Sequence, residues 1–176
     1  MSAVQTPSLV LVGPMGAGKT SIGRRVAKAL GVPFADTDVL IVREHGPIPE
    51  LFRSLGEAGF REIEREVAVR ALGEPGVLAL GGGAVLDART REALREHPVV
   101  LLSVAPQVVA RRIAGAARPL LQGEDPMAAW QRILDERRPL YDAVADVEFD
   151  TSRGPLSDIV TAVVAWAGTR APGAHV

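Results

Sequence analysis

Short apolar runs along the chain alternate with segments in which apolar residues recur at helical spacing. The first run is Leu9–Val12, and Ile22, Val26 and Leu30 follow it at helical spacing. Four further runs predict strands at 32–35, 77–80, 99–104 and 147–149. Continuous apolar runs of this length are typical of strands that are buried on both faces. Five strands alternating with helices predict an α/β fold, an open parallel sheet with helices on both faces.

Capping and breaking residues indicate where several helices begin and end. Asp38 is expected to cap a helix that begins at Val39. Gly56 is expected to separate a short helix from a longer one, in which Phe60 belongs to the buried stripe. Pro139 is expected to end the helix that begins near position 126, because proline cannot continue the helical hydrogen-bond ladder.

Composition narrows the class of protein. A chain of 176 residues that is 47% apolar predicts one domain, with a core over about 8–168 and a frayed tail over 169–176. A net charge of −1 predicts no general attraction to nucleic acid or to an anionic membrane. The longest apolar run, 99–105, is too short to span a bilayer, and residues 1–7 lack the pattern of a signal peptide. We therefore expect a soluble protein of the cytoplasm.

Segment 13–20 matches G-x-x-x-x-G-K-[ST], the phosphate-binding loop. It lies between a predicted strand and a predicted helix, which is the context that the motif requires. Its glycines let backbone N–H groups point at one anion, and the helix N-terminus adds partial positive charge. Lys19 is expected to reach the β- and γ-phosphates, and the Thr20 hydroxyl to bind Mg²⁺. The expected contacts to ATP in this segment are Gly16, Ala17, Gly18, Lys19, Thr20 and Ser21.

Two aspartates, Asp36 and Asp38, follow the second predicted strand. Ligands of open parallel sheets bind beyond the carboxyl ends of the strands, so these residues, the phosphate loop and Gly81-Gly82-Gly83 should face one crevice. Phosphoryl transfer needs one acid near the metal ion and one near the acceptor hydroxyl. Because side chains alternate along an extended segment, we assign Asp36 to the metal, through water, and Asp38 to the acceptor hydroxyl.

Arg61 and Glu64 are spaced i, i+3 on a predicted helix and can form an ion pair. On the surface such a pair would mean little, but Phe60 and Ile63 in the apolar stripe favour partial burial. A partly buried arginine held by a glutamate suits a planar carboxylate ligand. Gly81-Gly82-Gly83 offers backbone N–H groups to the same anion, although alone this run is better explained as a flexible turn.

Arginines in the second half of the chain are further candidates for binding-site residues. Arg118 lies in segment 115–125, which lacks apolar periodicity and is expected to be a mobile loop. One interpretation is a lid that closes over ATP, excludes water and brings a guanidinium to the phosphates, and the other is a surface arginine. Arg137 and Arg138 lie at a predicted helix end, where a cation that interacts with the helix dipole is a competing explanation.

Together these segments resemble the shikimate kinases, over about residues 9–164. The motifs are GPMGAGKT at 13–20, DTD at 36–38, FREIE at 60–64, LGGGA at 80–84, RPLL at 118–121 and RRPLY at 137–141. The resemblance implies a P-loop three-layer sandwich of the nucleoside-monophosphate-kinase type, with strand order 2-3-1-4-5. It also implies Mg²⁺-dependent transfer of the γ-phosphoryl of ATP to the 3-hydroxyl of shikimate, in the chorismate pathway to aromatic amino acids. Members of the family are typically cytoplasmic monomers.

The resemblance also implies which residues contact shikimate. Asp38 would be the base at the acceptor hydroxyl. The carboxylate would be held by Arg61, Arg137 and the backbone at Gly82, with Glu64 bracing Arg61. The residues expected on the shikimate side are Asp38, Phe52, Phe60, Arg61, Glu64, Gly81, Gly82, Gly83 and Arg137.

On the nucleotide side, the resemblance implies that Lys19 and Arg118 hold phosphates and that Thr20 and Asp36 serve Mg²⁺. The adenine would lie between two further segments, which contain Arg112 and Arg153.

Two other functions are compatible with part of these motifs. A gluconate kinase of similar fold also takes a hydroxy acid, so a carboxylate-binding arginine does not exclude it. A nucleotide-binding regulator would bind ATP and transfer nothing. The conjunction of Asp36-Thr37-Asp38, Phe60-Arg61 and Gly81-Gly82-Gly83 favours shikimate, and the candidate base, lid arginine and carboxylate clamp argue against a regulator.

Overall fold

A five-stranded parallel sheet forms the centre of the protein. The computed structural model describes residues 8–113 and 125–170. Its strands are β1 (Leu9–Val12), β2 (Phe34–Asp36), β3 (Val77–Ala79), β4 (Val99–Ser103) and β5 (Val147–Asp150). Its helices are α1 (Lys19–Leu30), α2 (Thr37–His45), α3 (Ile48–Leu72), α4 (Ala88–Leu94), α5 (Pro106–Ile113), α6 (Pro126–Val144) and α7 (Leu156–Thr169). The strand order β2-β3-β1-β4-β5 confirms the predicted α/β fold.

Successive side chains of β1 enter two hydrophobic cores, one on each face of the sheet. Leu9 and Leu11 pack in the core that includes residues of α1, α6 and α7. Val10 and Val12 pack in the other core, with residues of α3, α4 and α6. All four side chains are at most 5% exposed. The central strand therefore has no solvated face, which is why its sequence is an unbroken apolar run.

Strand β2 begins at Phe34, two residues later than predicted. The N–H of Val32 donates to the Ala27 carbonyl (3.0 Å) and so closes the end of α1 instead of joining the sheet. The first carbonyl that pairs with β3 is that of Pro33, which accepts from the N–H of Val77 (2.9 Å).

The prediction that Asp38 caps α2 was wrong. The helix begins at Thr37, and Asp36 is its N-cap. The Asp36 Oδ1 accepts from the N–H groups of Asp38 (2.9 Å) and Val39 (3.4 Å). Asp36 has extended backbone at the end of β2, so its side chain can turn back to these first N–H groups. Asp38 thus lies in the first helical turn, and its carboxylate is not used as the cap.

Gly56 interrupts α3, as predicted from the sequence. Its φ of 71° and ψ of 176° lie in a region that only glycine adopts readily. The kink lets both parts of the helix pack on α2, since Leu51 before it and Phe60 after it share a core cluster with Ile41. This packing carries the second part of α3 towards the carboxyl ends of β2 and β3.

The prediction that Pro139 ends a helix was also wrong, because α6 continues to Val144. A proline inside a helix removes one hydrogen bond, at a cost of about 3 kcal/mol. Tertiary contacts beyond it compensate, since Tyr141 is almost fully buried. On the outer face, the Arg138 Nε donates to the Asp142 Oδ1 (2.8 Å) across the same turn. Burial of the inner face therefore overrides the local helix-breaking signal.

Some predictions fall on residues 1–7, 114–124 and 171–176, which lie outside the described residues. They include Arg118, almost all of the predicted lid and most of the predicted tail. Among the described helices, none is long and apolar enough to cross a membrane.

Replacing Pro139 with alanine is expected to raise the free energy of unfolding by about 1–2 kcal/mol. Pro139 is exposed, so the change removes little buried surface while it supplies the missing N–H to the helix. Urea-induced unfolding measures the change.

Pro126→Ala is the matched control, because Pro126 lies in the first turn of the same helix, where no N–H is needed. It should not stabilise the protein. A Pro139→Ala variant that is less stable than the wild type would show that the proline is required for the path of α6.

Candidate active site

The phosphate loop, residues 13–20, turns sharply between β1 and α1. Gly13 has φ 145°, and a Cβ there would lie 2.2 Å from the Leu102 carbonyl oxygen, so no larger residue fits. Lys19 folds back over the loop, where its Nζ donates to the carbonyls of Gly13 (2.7 Å) and Pro14 (3.0 Å). Its ammonium group is therefore held at the mouth of the loop, beside the N-terminus of α1.

Three consecutive carbonyls of the loop accept hydrogen bonds from side chains outside it. The Trp130 Nε1 donates to the Met15 carbonyl (2.9 Å) and the Thr151 Oγ1 to the Ala17 carbonyl (2.9 Å). Arg112 donates to the carbonyl between them, that of Gly16 (2.8 Å). Sequence reasoning missed Trp130 and Thr151. A tryptophan in an otherwise apolar stripe was the available signal, because a buried indole N–H needs an acceptor.

These outward contacts orient the N–H groups of the loop. A trans peptide carries its C=O and the next N–H on opposite edges. Holding the carbonyls of Met15 and Ala17 therefore turns the N–H groups of Gly16 and Gly18 to the other side, where an anion would lie. The N–H of Ala17 instead donates to the Pro14 carbonyl (3.3 Å) and tightens the turn.

The guanidinium of Arg112 joins the loop to the segment after β5. Besides Gly16, it donates to the Thr151 carbonyl (3.0 Å) and to the Thr151 Oγ1 (3.2 Å). Arg153, two residues further on, is exposed. The two segments predicted to flank adenine are thus brought together, although Arg112 is occupied with protein acceptors.

Thr20 and Asp36 form the closest side-chain contact at the edge of the loop. The Thr20 Oγ1 donates to the Asp36 Oδ2 (2.6 Å), while the other oxygen of Asp36 caps α2. As a donor to Asp36, the Thr20 oxygen keeps lone pairs that can face a cation. The residues predicted to serve Mg²⁺ are therefore adjacent.

Asp38 and Glu64 lie together above the end of β3. A Cβ added at Gly81 would be 2.7 Å from the Asp38 Oδ1 and 3.0 Å from the Glu64 Oε1. Glu64 is only 3% exposed. Burial raises the pKa of Glu64, and the neighbouring Asp38 charge adds to this, against the lowering effects of Arg61 and Arg137. Glu64 therefore loses its proton less readily than a solvated glutamate does.

Arg61 pairs with Glu64 in a partly buried setting, as the apolar stripe predicted. Its Nη1 donates to the Glu64 Oε2 (2.6 Å) and its Nη2 to the Glu57 Oε1 (3.2 Å). Its Cζ lies 5.3 Å from the ring centroid of Phe60 and 5.8 Å from that of Phe52. The Nε is buried and has no acceptor in the described part of the chain. The guanidinium is therefore held in place while its Nε–H is still unsatisfied.

Arg137 joins this acid and arginine cluster from α6 and is 6% exposed. Because α6 continues past it, the helix-end explanation for Arg137 does not apply. A Cβ added at Gly82 would lie 3.5 Å from the Arg137 Nη1 and 3.5 Å from the Gly13 carbonyl oxygen. Gly82 thus lies between the cluster and the phosphate loop. Asp38, Arg61 and Lys19 consequently lie around the same glycine segment and the neighbouring Gly13 carbonyl.

The three glycines after β3 differ in what their backbone can do. The N–H of Gly81 donates to the Thr37 Oγ1 (2.8 Å), so it is not available for a ligand, contrary to the expectation that all three could serve. A Cβ at Gly83 would lie 2.2 Å from the Arg61 Nη1. Because Gly82 and Gly83 have no side chains, the backbone can approach the guanidinium groups of Arg137 and Arg61 closely.

Comparison with known proteins identifies the family. A model of the shikimate kinase family matches residues 15–167. The shikimate kinase of Saccharopolyspora erythraea is 51% identical over 149 residues, which cover 83% of this chain and 85% of that protein. The chain belongs to the shikimate kinase family. It is therefore an ATP-dependent kinase.

Solved structures separate the two candidate kinase classes. The structure of shikimate kinase from Acinetobacter baumannii in complex with shikimate matches with a TM-score of 0.88 at 38% identity, covering 93% of each chain. A gluconokinase from Sinorhizobium meliloti matches with a TM-score of 0.60 at 25% identity, over 93% of this chain and 92% of that one. The likeness to a shikimate kinase is clearly the stronger one.

The raised pKa of Glu64 predicts how stability depends on pH. The folded state binds the Glu64 proton more tightly than the unfolded state, so this contribution is present below pH 4.5 and is lost as the pH rises through the raised pKa. The free energy of unfolding of the wild type, relative to that of Glu64→Gln, should therefore fall between pH 4.5 and neutral pH. Urea unfolding of both proteins across this range measures it.

Glu62→Gln is the control, because Glu62 is an exposed glutamate on the same helix. Its difference from the wild type should stay nearly constant with pH. A wild type that gains stability relative to Glu64→Gln as the pH rises would mean that the Arg61 charge, and not burial, dominates at Glu64.

Proposed function

We propose that this shikimate kinase family member binds ATP at the phosphate loop and shikimate at the acid and arginine cluster. The γ-phosphoryl then passes to the 3-hydroxyl of shikimate, giving shikimate 3-phosphate and ADP. The position of Gly82, between the Gly13 carbonyl and the Arg137 guanidinium, is the observation that carries the proposal. Gly82 would then border both the phosphate site and the carboxylate site. Direct transfer between two small ligands requires that their sites be adjacent.

On the donor side, the N–H groups of Gly16 and Gly18, the N-terminus of α1 and Lys19 bind the phosphates. These positively charged or positively polarised groups stabilise the negative charge that spreads over the phosphoryl oxygens during transfer. Ala17 and Ser21 are also proposed to contact ATP. Arg118, from the segment outside the described residues, is proposed to close over ATP and to add a guanidinium to these phosphates.

Thr20 and Asp36 are proposed to hold Mg²⁺ together with phosphate oxygens, Asp36 through water. The described residues contain no cluster of three or more His, Cys, Asp or Glu that could hold a metal. A magnesium ion that arrives with ATP needs only one or two protein oxygens, and this pair supplies them. When bound, the ion neutralises charge on the β- and γ-phosphates.

On the acceptor side, Asp38 accepts the proton of the 3-hydroxyl as that oxygen attacks the γ-phosphorus. The bond from the γ-phosphorus to the bridging oxygen breaks, and ADP leaves. Arg61 and Arg137 hold the carboxylate of shikimate, and Glu64 keeps the Arg61 guanidinium in position. An acceptor without a carboxylate would leave the buried Arg61 Nε without an acceptor, which is the proposed basis of specificity.

Further contacts to shikimate are proposed for the backbone at Gly82 and Gly83 and for two aromatic rings. The ring centroids of Phe52 and Phe60 are 4.4 Å apart, and both rings lie beside Arg61. On the nucleotide side, adenine is proposed to lie between the segments of Arg112 and Arg153. One chain supplies both halves of this site, which supports a monomer, and we propose that it acts in the cytoplasm.

A coupled assay of ADP release tests the proposed function. ATP and Mg²⁺ are supplied, and shikimate and gluconate are compared as acceptors. We expect rapid ADP release with shikimate only. Release that depends on gluconate would indicate the alternative kinase class, and ATP binding without release for either acid would indicate a regulator.

Asp38→Asn is expected to lower kcat by at least about 100-fold while changing the Kd of ATP by less than about twofold. The substitution keeps the shape of the side chain and removes its ability to take a proton. Steady-state kinetics and calorimetric titration with an ATP analogue measure the two quantities.

Asp142→Asn is the control, because Asp142 lies on the outer face of α6 and pairs with Arg138. It should leave kcat unchanged. Turnover that survives Asp38→Asn would refute the assignment of Asp38 as the base, and equal loss of ATP binding would point to damage to the fold.

A further inference from the structure

Tyr141 lies directly beneath the acid and arginine cluster, which is formed by Asp38, Arg61, Glu64 and Arg137 and is called the acceptor cluster from here on. It is the only tyrosine of the chain. Its side chain is 1% exposed and belongs to the core that covers one face of the sheet. It comes from the part of α6 that follows Pro139. The continuation of the helix past this proline therefore brings the tyrosine to the site.

The hydroxyl of Tyr141 lies beside two parts of the proposed carboxylate clamp, the Gly82 backbone and the Arg137 guanidinium. It donates to the Gly82 carbonyl oxygen (2.6 Å). The Arg137 guanidinium approaches the same point, since a Cβ added at Gly82 would lie 3.4 Å from the Tyr141 hydroxyl oxygen and 3.5 Å from the Arg137 Nη1. Burial raises the pKa of Tyr141 to about 12, so the hydroxyl keeps its proton and remains a donor at neutral pH.

The contact with Gly82 determines the direction of one peptide group. The Gly82 carbonyl and the Gly83 N–H belong to the same planar peptide and point in opposite directions. A carbonyl that is held on Tyr141 therefore turns the Gly83 N–H away from the core. Gly83 is also the glycine that approaches the Arg61 guanidinium most closely.

We propose that Tyr141 is a positioning residue for the acceptor carboxylate. Its hydroxyl holds the Gly82–Gly83 peptide and the Arg137 guanidinium in one arrangement before the acid arrives. The inference rests on the proposed function of the acceptor cluster and adds a residue that does not itself touch the ligand. Holding donors in place before binding lowers the entropy that is lost on binding.

Tyr141→Phe tests the proposal, because it removes the hydroxyl and keeps the buried ring. We expect the KM for shikimate to rise about five- to tenfold, with the KM for ATP changed by less than about twofold. With the neutral amide of shikimate as acceptor, the variant and the wild type should differ much less. A lower melting temperature with an unchanged KM for shikimate would overturn the proposal and leave Tyr141 a structural role.

Thr90→Val is the matched control. Thr90 is fully buried on α4, and its hydroxyl has no hydrogen-bond partner among the described residues. Removing this hydroxyl should leave both KM values unchanged. If Thr90→Val also raised the KM for shikimate, loss of a buried hydroxyl in general would explain the effect, and the proposal would fail.

A second experiment does not depend on the folding of a variant. Because the chain contains one tyrosine, biosynthetic incorporation of 3-fluorotyrosine labels Tyr141 alone. Addition of shikimate should shift its fluorine NMR resonance, and addition of the neutral amide should shift it less. No shift at saturating shikimate would overturn the proposal.

Failure of this inference and failure of the proposed function give different results. If the wild type shows no shikimate-dependent turnover, the proposed function is wrong and the inference falls with it. If the wild type turns over shikimate and Tyr141→Phe has the same KM for shikimate, only the role of Tyr141 is wrong.

Discussion

A loop that binds phosphate through its backbone must satisfy its own carbonyl groups elsewhere. Here that constraint is met by three side chains that approach from outside the loop, namely Trp130, Arg112 and Thr151. An unsatisfied buried polar group would cost about 1–3 kcal/mol, so these contacts stabilise one loop conformation strongly. They come from α6, from α5 and from the segment after β5. The arrangement of the N–H groups is therefore a property of the whole fold, although the motif itself is local.

Helix α6 extends from the phosphate loop to the acid and arginine cluster. Trp130 contacts the loop, whereas Arg137 and Tyr141 reach the acceptor cluster from the same buried face. Trp130 and Tyr141 are about 16 Å apart along the axis at the usual helical rise. A rigid element of this length keeps the two binding regions in a defined relation. Pro139 is tolerated because it lies on the exposed face, where its ring disturbs no core contact.

The acceptor cluster places several charged side chains in a largely buried position, where the loss of solvation makes charge unfavourable. Asp38 and Glu64 are balanced by Arg61 and Arg137, and burial still raises the pKa of Glu64. Buried ion pairs of this kind contribute little net stability compared with an apolar core. For the proposed function, their role is in specificity, since a buried guanidinium would distinguish a carboxylated acceptor from a neutral one. The proposed function thus gives a reason why charged residues are kept here at some cost in stability.

The sequence by itself indicated the positions of the five strands, the phosphate loop at 13–20 and the pairing of Arg61 with Glu64, because the signal for each is contained in a few neighbouring residues. The strand order came from resemblance to a family and not from the pattern. Only the tertiary structure decided that α6 continues through Pro139 and that Asp36, not Asp38, caps α2. The acceptor of the Trp130 N–H was also decided by the tertiary structure, because the Met15 carbonyl is far away in the chain. For α6 and for the loop, the deciding partner lies far away in the chain, and burial against it outweighs local preference. For Asp36, the deciding factor is its extended backbone at the end of β2, where the strand pairs with Ala79 of β3.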